Sequence, residues 1–174
     1  MSREAEPGLY FEPLADHDRA AFSCGVEALD NYLRQQVKQD IRKRSAVAFV
    51  LTNDGKTIVG YYTLSQFSVN LGTLPPEVAA KLPRYPDLPA TRLGRLALSS
   101  AYRGRQLGEA LLMDALKRAL GGSRHIASAL VVVDAKDEGA ANFYKKYGFR
   151  DLPRVANRFF VPMQSVEEIF AGES

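Results

Sequence analysis

The chain has 174 residues, 46% of them apolar, which is the size of one domain and enough apolar material for an ordinary core. Its single cysteine, Cys24, excludes an intrachain disulfide and a cysteine metal site, and its two histidines, His17 and His125, stand too far apart to suggest a metal cluster. The net charge of +3 hides a segregation: residues 1–30 hold two Lys or Arg against seven Asp or Glu, residues 31–124 fifteen against six, and residues 125–174 six against seven, a basic body between acidic ends that favours polyanionic partners.

Met-Ser-Arg-Glu-Ala-Glu-Pro-Gly at the start lacks the apolar core of a signal peptide, and no later apolar run reaches the roughly 18 to 20 residues of a membrane span. A soluble protein of a reducing cytoplasm is expected. Leu9-Tyr10-Phe11 with Pro13-Leu14 predicts a short first strand. Helix signals start near Ser23 to Gly25 and continue to about Lys43, with Val26, Leu29, Leu33, Val37 and Ile41 recurring as a buried stripe. Beside the stripe Arg34, Lys38 and Arg42 follow each other at i, i+4, and Lys43 and Arg44 extend the row, with Asp40 interrupting it. Unpaired like charges at that spacing repel by on the order of a few tenths of a kcal/mol per pair, which an anion lying on the row would relieve. A solvated helix face is the alternative.

Residues 46–52 and 57–70 are rich in β-branched and aromatic residues and predict two antiparallel strands, joined at Asn53-Asp54-Gly55-Lys56 by a hairpin whose Asp-Gly supplies positive φ angles. From 75 to 89 the chain holds five of its nine prolines. This predicts an ordered excursion with a helical turn or two in Glu77 to Leu82, with Leu82, Tyr85 and Leu88 tucked in and no regular element passing Pro83, Pro86 and Pro89. Then come a strand at 91–99, a helix from about 106 to 120 stopped by Gly121-Gly122, a strand at 126–134, a helix from about 137 to 147 and a last strand from Arg158 to Pro162. Strands first and then β-α-β-α-β gives an α/β mixed sheet with helices on both faces, in one domain over 1–174.

Residues 95–112 run Arg-Leu-Ala-Leu-Ser-Ser-Ala-Tyr-Arg-Gly-Arg-Gln-Leu-Gly-Glu-Ala-Leu-Leu, a strand, a polar loop and a helix. That order of parts builds a diphosphate site, because the first N–H groups of a helix have no internal partner and the macrodipole adds positive charge there. Gly104 and Gly108 have no Cβ to hold the backbone away from a phosphate. From Arg105, Arg-Gln-Leu-Gly-Glu-Ala resembles the R/Q-x-x-G-x-G/A signature of the GNAT superfamily of acyl-CoA-dependent N-acetyltransferases. Residues 137–149, Asp-Glu-Gly-Ala-Ala-Asn-Phe-Tyr-Lys-Lys-Tyr-Gly-Phe, resemble the second helix of that fold, with its A-x-x-x-Y-x-K-x-G-F pattern.

The resemblance implies the GNAT fold, a central mixed, mostly antiparallel sheet splayed at a V between two parallel strands, with acetyl-CoA as cosubstrate in the V and no metal. It implies that the backbone of Leu96, Ala97 and Leu98 holds the pantetheine arm as an added strand would. The N–H groups of Arg105, Gln106, Leu107, Gly108, Glu109 and Ala110 would hold the diphosphate, with Arg103 and Arg105 adding charge. Tyr144 would donate a proton to the leaving thiolate, against the alternative of an ordinary helix tyrosine such as Tyr147. Where many members carry an asparagine against the pantetheine, this chain has Asp137, which has no amide N–H to donate. No general base stands out. An α-amine, with a pKa of about 7.7 to 8.0, needs one less than a lysine at about 10.4, and the ester of an aminoacyl-tRNA lowers it further, so an α-amine acceptor is favoured.

Phe22-Ser-Cys-Gly-Val-Glu-Ala-Leu-Asp-Asn-Tyr-Leu33 before the basic row, Leu93-Gly-Arg-Leu-Ala-Leu98 and Asp134-Ala-Lys-Asp-Glu138 are similar to the GNAT toxins of bacterial type II toxin–antitoxin modules. That narrower resemblance implies acetylation of the α-amine of the amino acid on charged tRNA, a block of translation, and neutralisation by a cognate ribbon-helix-helix antitoxin. The partners it implies are aminoacyl-tRNA, the antitoxin and a second copy in a homodimer, with no membrane. Arg34, Lys38, Arg42, Lys43 and Arg44, with Arg92 and Arg95, would meet tRNA phosphate. A fold supports many acceptors, so two readings stand beside this one: a GNAT enzyme for a small amine or a protein N-terminus, and a non-catalytic acyl-CoA-binding module.

Overall fold

The structure, a computed structural model, describes residues 7–172. Strand β1 (Tyr10–Pro13) pairs antiparallel with β2 (Val47–Thr52), and β2 with β3 (Gly60–Asn70). β4 (Asp87–Leu98) runs parallel to β5 (Leu130–Asp134), and β7 (Arg158–Pro162) lies antiparallel between β5 and β6 (Arg150–Asp151). The seven strands form one sheet in the order β1-β2-β3-β4-β5-β7-β6. This is the mixed, mostly antiparallel GNAT arrangement with its one parallel pair.

The chain divides into two compact units, one running to Ser65 and taking in Gly94–Ala115, the other formed by Gln66–Leu93 and the chain from Leu116 onward. The core of the first gathers Phe22, Leu33, Val37, Val50, Tyr61 and Ala97, and that of the second Val69, Leu88, Leu130, Val132 and Phe160. Burial of each large side chain contributes about 1.5 to 3 kcal/mol.

In the first unit the expected long helix is α1 (Glu27–Asn31), a π-helical turn over Tyr32–Gln36 and α2 (Val37–Arg42). Leu33 and Val37 are fully buried, with Val26, Leu29 and Ile41 packed against the same core. From Leu29 to Ile41 the stripe advances in strict steps of four, and each such step overshoots an α-helical turn by about 40°. The wider i→i+5 turn takes back part of that drift and keeps the column over the core. The β2–β3 connection is longer than a two-residue hairpin: only Gly55 has a positive φ, of 76°, and Asp54 does not. Asp54 instead accepts the N–H groups of Lys56 and Thr57 and the Thr57 hydroxyl, which hold its carboxyl down at about 2, and β3 begins at Gly60.

In the second unit α3 (Pro76–Ala79) supplies the expected helical turn, but β4 begins at Asp87 and passes through Pro89. A strand sends successive N–H groups to opposite neighbours, so one missing donor near its start removes at most one ladder bond, and the Pro89 carbonyl still accepts from Ala129 N–H at 2.8 Å. Leu82 and Leu88 pack as expected, whereas Tyr85 is 67% exposed. The helix α4 (Leu107–Gly122) runs through both glycines that were to stop it, and β5 starts at Leu130, four residues later than expected, leaving Ile126 exposed. α5 (Glu138–Lys146) and β7 lie where the sequence places them. The short β6 and the helix α6 (Met163–Phe170), which buries Met163 and Val166, were not expected.

Candidate active site

β4 outruns its parallel partner. Its register with β5 ends at Leu93↔Val133, and the strand continues to Leu98. Side chains alternate along this extension, so Ala97 is buried in the first core while Leu96 and Leu98 are half-buried. A single turn over Ser100–Tyr102, with the Ser99 hydroxyl accepting Ala101 N–H, leads into the loop before α4. The loop turns through Gly104 at φ 82° and Gln106 at φ 57°, a left-handed conformation uncommon for a residue with a side chain. Leu107, 2% exposed, anchors the helix start.

The N–H groups of Gln106, Leu107 and Gly108 find no acceptor among the described residues. With the dipole of a sixteen-residue helix behind them, they are donors of the kind that hold an anion. Arg105 lies over the Tyr102 ring at 5.3 Å. Arg103 is committed elsewhere: it donates to the Cys24 carbonyl at 2.7 Å and closes on Gly25, where a Cβ would come within 2.8 Å of its Nη2. Beyond its chain neighbours no described residue comes within 4 Å of where a Cβ on Gly104 would lie, so its positive φ is what calls for glycine.

In the second unit Asp137 is the N-cap of α5 and accepts Ala140 N–H at 2.7 Å, so the residue expected at the pantetheine has an oxygen engaged in capping. Tyr144 points into apolar surroundings, 6% exposed, with its ring 5.4 Å from Phe143 and 5.5 Å from Phe149. Its hydroxyl has no hydrogen-bond partner among the described residues, and burial pushes its pKa up. A phenol so placed stays protonated at neutral pH, and its unsatisfied donor calls for an explanation outside the fold. Tyr147, three residues on, is half-buried against Phe143 at 5.1 Å. Gly148 at φ 95° ends the helix, and Phe149 N–H returns to the Tyr144 carbonyl, which accounts for the Gly-Phe that closes the motif.

The basic residues fall into different environments. Arg34 and Lys38 are exposed on the helix, but Arg34 donates to the Phe22 carbonyl at 2.9 Å and Lys38 to that of Ala15 at 2.8 Å. The row is therefore not a set of unpartnered charges, and the argument that repulsion calls for an anion loses its premise. Arg42, Lys43 and Arg44 are exposed at the end of α2, Arg44 at φ 61°. Arg92 donates to Asp134 at 2.8 Å, Arg158 to the same carboxylate at 2.7 Å, and both guanidinium groups lie over Phe67, at 5.3 and 5.0 Å. Arg158, beside Asp134 first and Arg92 after it, holds that carboxyl below its usual range. Arg95 stacks on Tyr32 at 3.7 Å. The roles of Asp134, Arg158, Phe67 and Tyr32 are absent from the sequence reading; Asp134 and Arg158 are a cross-strand pair, legible only once the β5–β7 register is known.

His17 is buried, its Nδ1 accepting Ala15 N–H and its Nε2 2.6 Å from Glu12. His125 is exposed in the turn after α4. Among the described residues no three of His, Cys, Asp or Glu form a group that could hold a metal ion, and no helix is long and apolar enough to cross a membrane.

A family model described as "Acetyltransferase (GNAT) family" matches residues 11–149. The chain is similar to a probable toxin TacT of Sinorhizobium fredii, 29% identical over an alignment of 161 positions that covers 88% of this chain and 89% of that protein. It is also similar to a tRNA-acetylating toxin of Mycobacterium tuberculosis, 32% identical over 136 residues, 78% of this chain and 80% of that one. Among solved structures, AtaT complexed with acetyl-methionyl-tRNAfMet matches with a TM-score of 0.86 and 30% identity, covering 93% of this chain and 99% of that chain.

Proposed function

The chain belongs to the acetyltransferase (GNAT) family, and from that premise we propose that it is a toxin that acetylates the α-amine of the amino acid on charged tRNA and so blocks translation. One observation carries the choice of acceptor: the likeness, over most of both chains, to a toxin named for acetylating tRNA. The match of the family model across parts of both units supports a single catalytic domain. A cytoplasmic location, a homodimer and a ribbon-helix-helix antitoxin complete the reading.

Acetyl-CoA supplies the acyl group as a thioester. The backbone of Leu96, Ala97 and Leu98 would hold its pantetheine arm, and the N–H groups of residues 105–110 its diphosphate, with Arg105 adding charge and Arg103 bracing the loop through the Cys24 carbonyl. Tyr144, buried and protonated with no acceptor among the described residues, would give its proton to the departing thiolate. Asp137 would shape the start of α5 as its cap. The neutral fraction of the α-amine of an amino acid esterified to tRNA makes a separate base unnecessary, and the proton its nitrogen sheds as the amide forms balances the one that Tyr144 gives up. Arg42, Lys43 and Arg44 would meet tRNA phosphate together with Arg92 and Arg95, and Arg34 and Lys38 through the donors that their carbonyls leave over.

The test is incubation with acetyl-CoA and total charged tRNA, followed by mass spectrometry of the aminoacyl adenosine released by nuclease. Acetylated aminoacyl adenosine is expected. Its absence, in a preparation that acetylates small amines or peptide N-termini, would overturn the reading.

A further inference from the structure

Arg95 differs from Arg34, Arg92, Arg103 and Arg158. Arg92 and Arg158 share the Asp134 carboxylate, and Arg34 and Arg103 hold backbone carbonyls. The guanidinium of Arg95 makes no ion pair and no hydrogen bond among the described residues, although the residue is half-buried. What it has is the face of Tyr32, its centroid 3.7 Å away, and the more distant charge of Asp40, whose carboxyl Gln36, Tyr32 and then Arg95 hold below its usual range. The ring is itself fixed: the Tyr32 hydroxyl donates to Asp40 at 2.7 Å, and Gln36 donates to the other oxygen of that carboxylate at 2.9 Å. Tyr32 also opens the π-helical turn, a local widening that recurs at functional sites.

A half-buried guanidinium with no acceptor among the described residues, beside an Asp40 already bonded by Tyr32 and Gln36, has donors free to turn to a ligand oxygen. A planar fork held still on an aromatic face is suited to two oxygens of one phosphate. Its position narrows the ligand. Arg95 directly precedes Leu96–Leu98 on β4, so its Cα lies within about 10 Å of that of Leu98 along the strand. In an aminoacyl-tRNA the amino acid's carboxyl is esterified, and the negative charge nearest the reacting amine is the phosphodiester on the 5′ side of the terminal adenosine.

We propose that Arg95, held on Tyr32, is the receptor for the 5′ phosphate of the terminal adenosine of the acceptor, and that this contact sets the register of the aminoacyl end beside the acyl donor. The inference rests on the charged-tRNA reading above and deepens it. Tyr32 is a positioning residue, acting through Arg95.

The probes come from total charged tRNA. Ribonuclease A leaves aminoacyl-adenosine with a 5′-hydroxyl, and nuclease P1 leaves it with a 5′-phosphate. With the unaltered protein the phosphate should raise kcat/KM by about tenfold or more, through KM. In Arg95→Gln and Tyr32→Leu the benefit should vanish, in Tyr32→Phe it should persist, and the KM for acetyl-CoA should not move in any of them. Thermal unfolding shows whether each variant is folded, and Tyr32→Phe separates loss of the stack from loss of the Asp40 bond. An equal phosphate benefit in Arg95→Gln, no benefit in the unaltered protein, or a loss that falls on the KM for acetyl-CoA and assigns the site to a phosphate of the coenzyme would each overturn the proposal. If intact tRNA is acetylated but neither fragment is, the readout becomes kcat/KM on intact charged tRNA against salt. Arg95→Gln should then flatten the log–log slope by about 0.7, and an unchanged slope refutes it. A protein that acetylates neither charged tRNA nor fragments refutes the acceptor reading itself, and this assignment falls with it; the other outcomes refute this assignment alone.

Discussion

Replacing Tyr144 by Phe removes one oxygen from a side chain that is 6% exposed and whose hydroxyl has no partner among the described residues. The ring and its contacts with Phe143 and Phe149 stay. A buried unsatisfied hydroxyl costs roughly 1 to 3 kcal/mol, so without ligand the variant should be as stable as the parent or more so by up to that amount. For a domain of this length each kcal/mol is worth about 2 to 4 °C in Tm, which differential scanning calorimetry resolves easily. Turnover should move the other way. Loss of a positioned acid lowers kcat by about a hundredfold or more, while acetyl-CoA binding, measured by titration calorimetry, stays within about threefold because the proton matters only as the thiolate leaves. A more stable, inactive, ligand-competent protein is the combined signature. A clear drop in Tm would show that the hydroxyl has a partner in the fold, and undiminished kcat would show that another group or water protonates the thiolate; either result refutes the reasoning.

Asp137→Ala should cost about 0.5 to 2 kcal/mol through the lost cap, whereas Asp137→Asn keeps the cap and adds an amide donor, so unfolding should be unchanged and acetyl-CoA affinity equal or higher by calorimetry. Asp134, whose carboxyl is held low by Arg158 and Arg92, binds its proton less readily folded than unfolded; its contribution is present above the usual carboxylate pKa and lost as pH falls through the lower folded value. Asp134→Asn should therefore flatten the acid limb of Tm against pH, and an unaltered limb would remove Asp134 from it. Reversing Arg42, Lys43 and Arg44 to Glu should weaken charged-tRNA binding and flatten its salt dependence by about 0.7 to 0.9 units per contact, with Tm little changed. Arg34→Glu and Lys38→Glu should instead lower Tm, since the Phe22 and Ala15 carbonyls lose their donors.

What the sequence determined by itself is what short-range chemistry encodes. The apolar stripe of the first long helix, the extent of β7, the cap and left-handed stop around α5, and the strand–loop–helix run from Arg95 each depend on neighbours within a few residues, and each was legible. The spacing of two motifs and the likeness around Phe22, Leu93 and Asp134 carried the family. Tertiary structure decided the partners. Pro89 is admitted to a strand because Ala129 N–H uses its carbonyl, and the hairpin lengthens because Asp54 binds the backbone beyond it. Arg34, Lys38, Arg92, Arg95 and Arg103 look alike in the sequence as basic residues. Only the fold gives the first two and the last carbonyls to hold, pairs Arg92 with a carboxylate 42 residues away, and leaves Arg95 on an aromatic ring with no acceptor among the described residues. The physical reason is reach: a long flexible cation binds whatever acceptor the packing of remote elements brings to it, and no pattern along the chain records that.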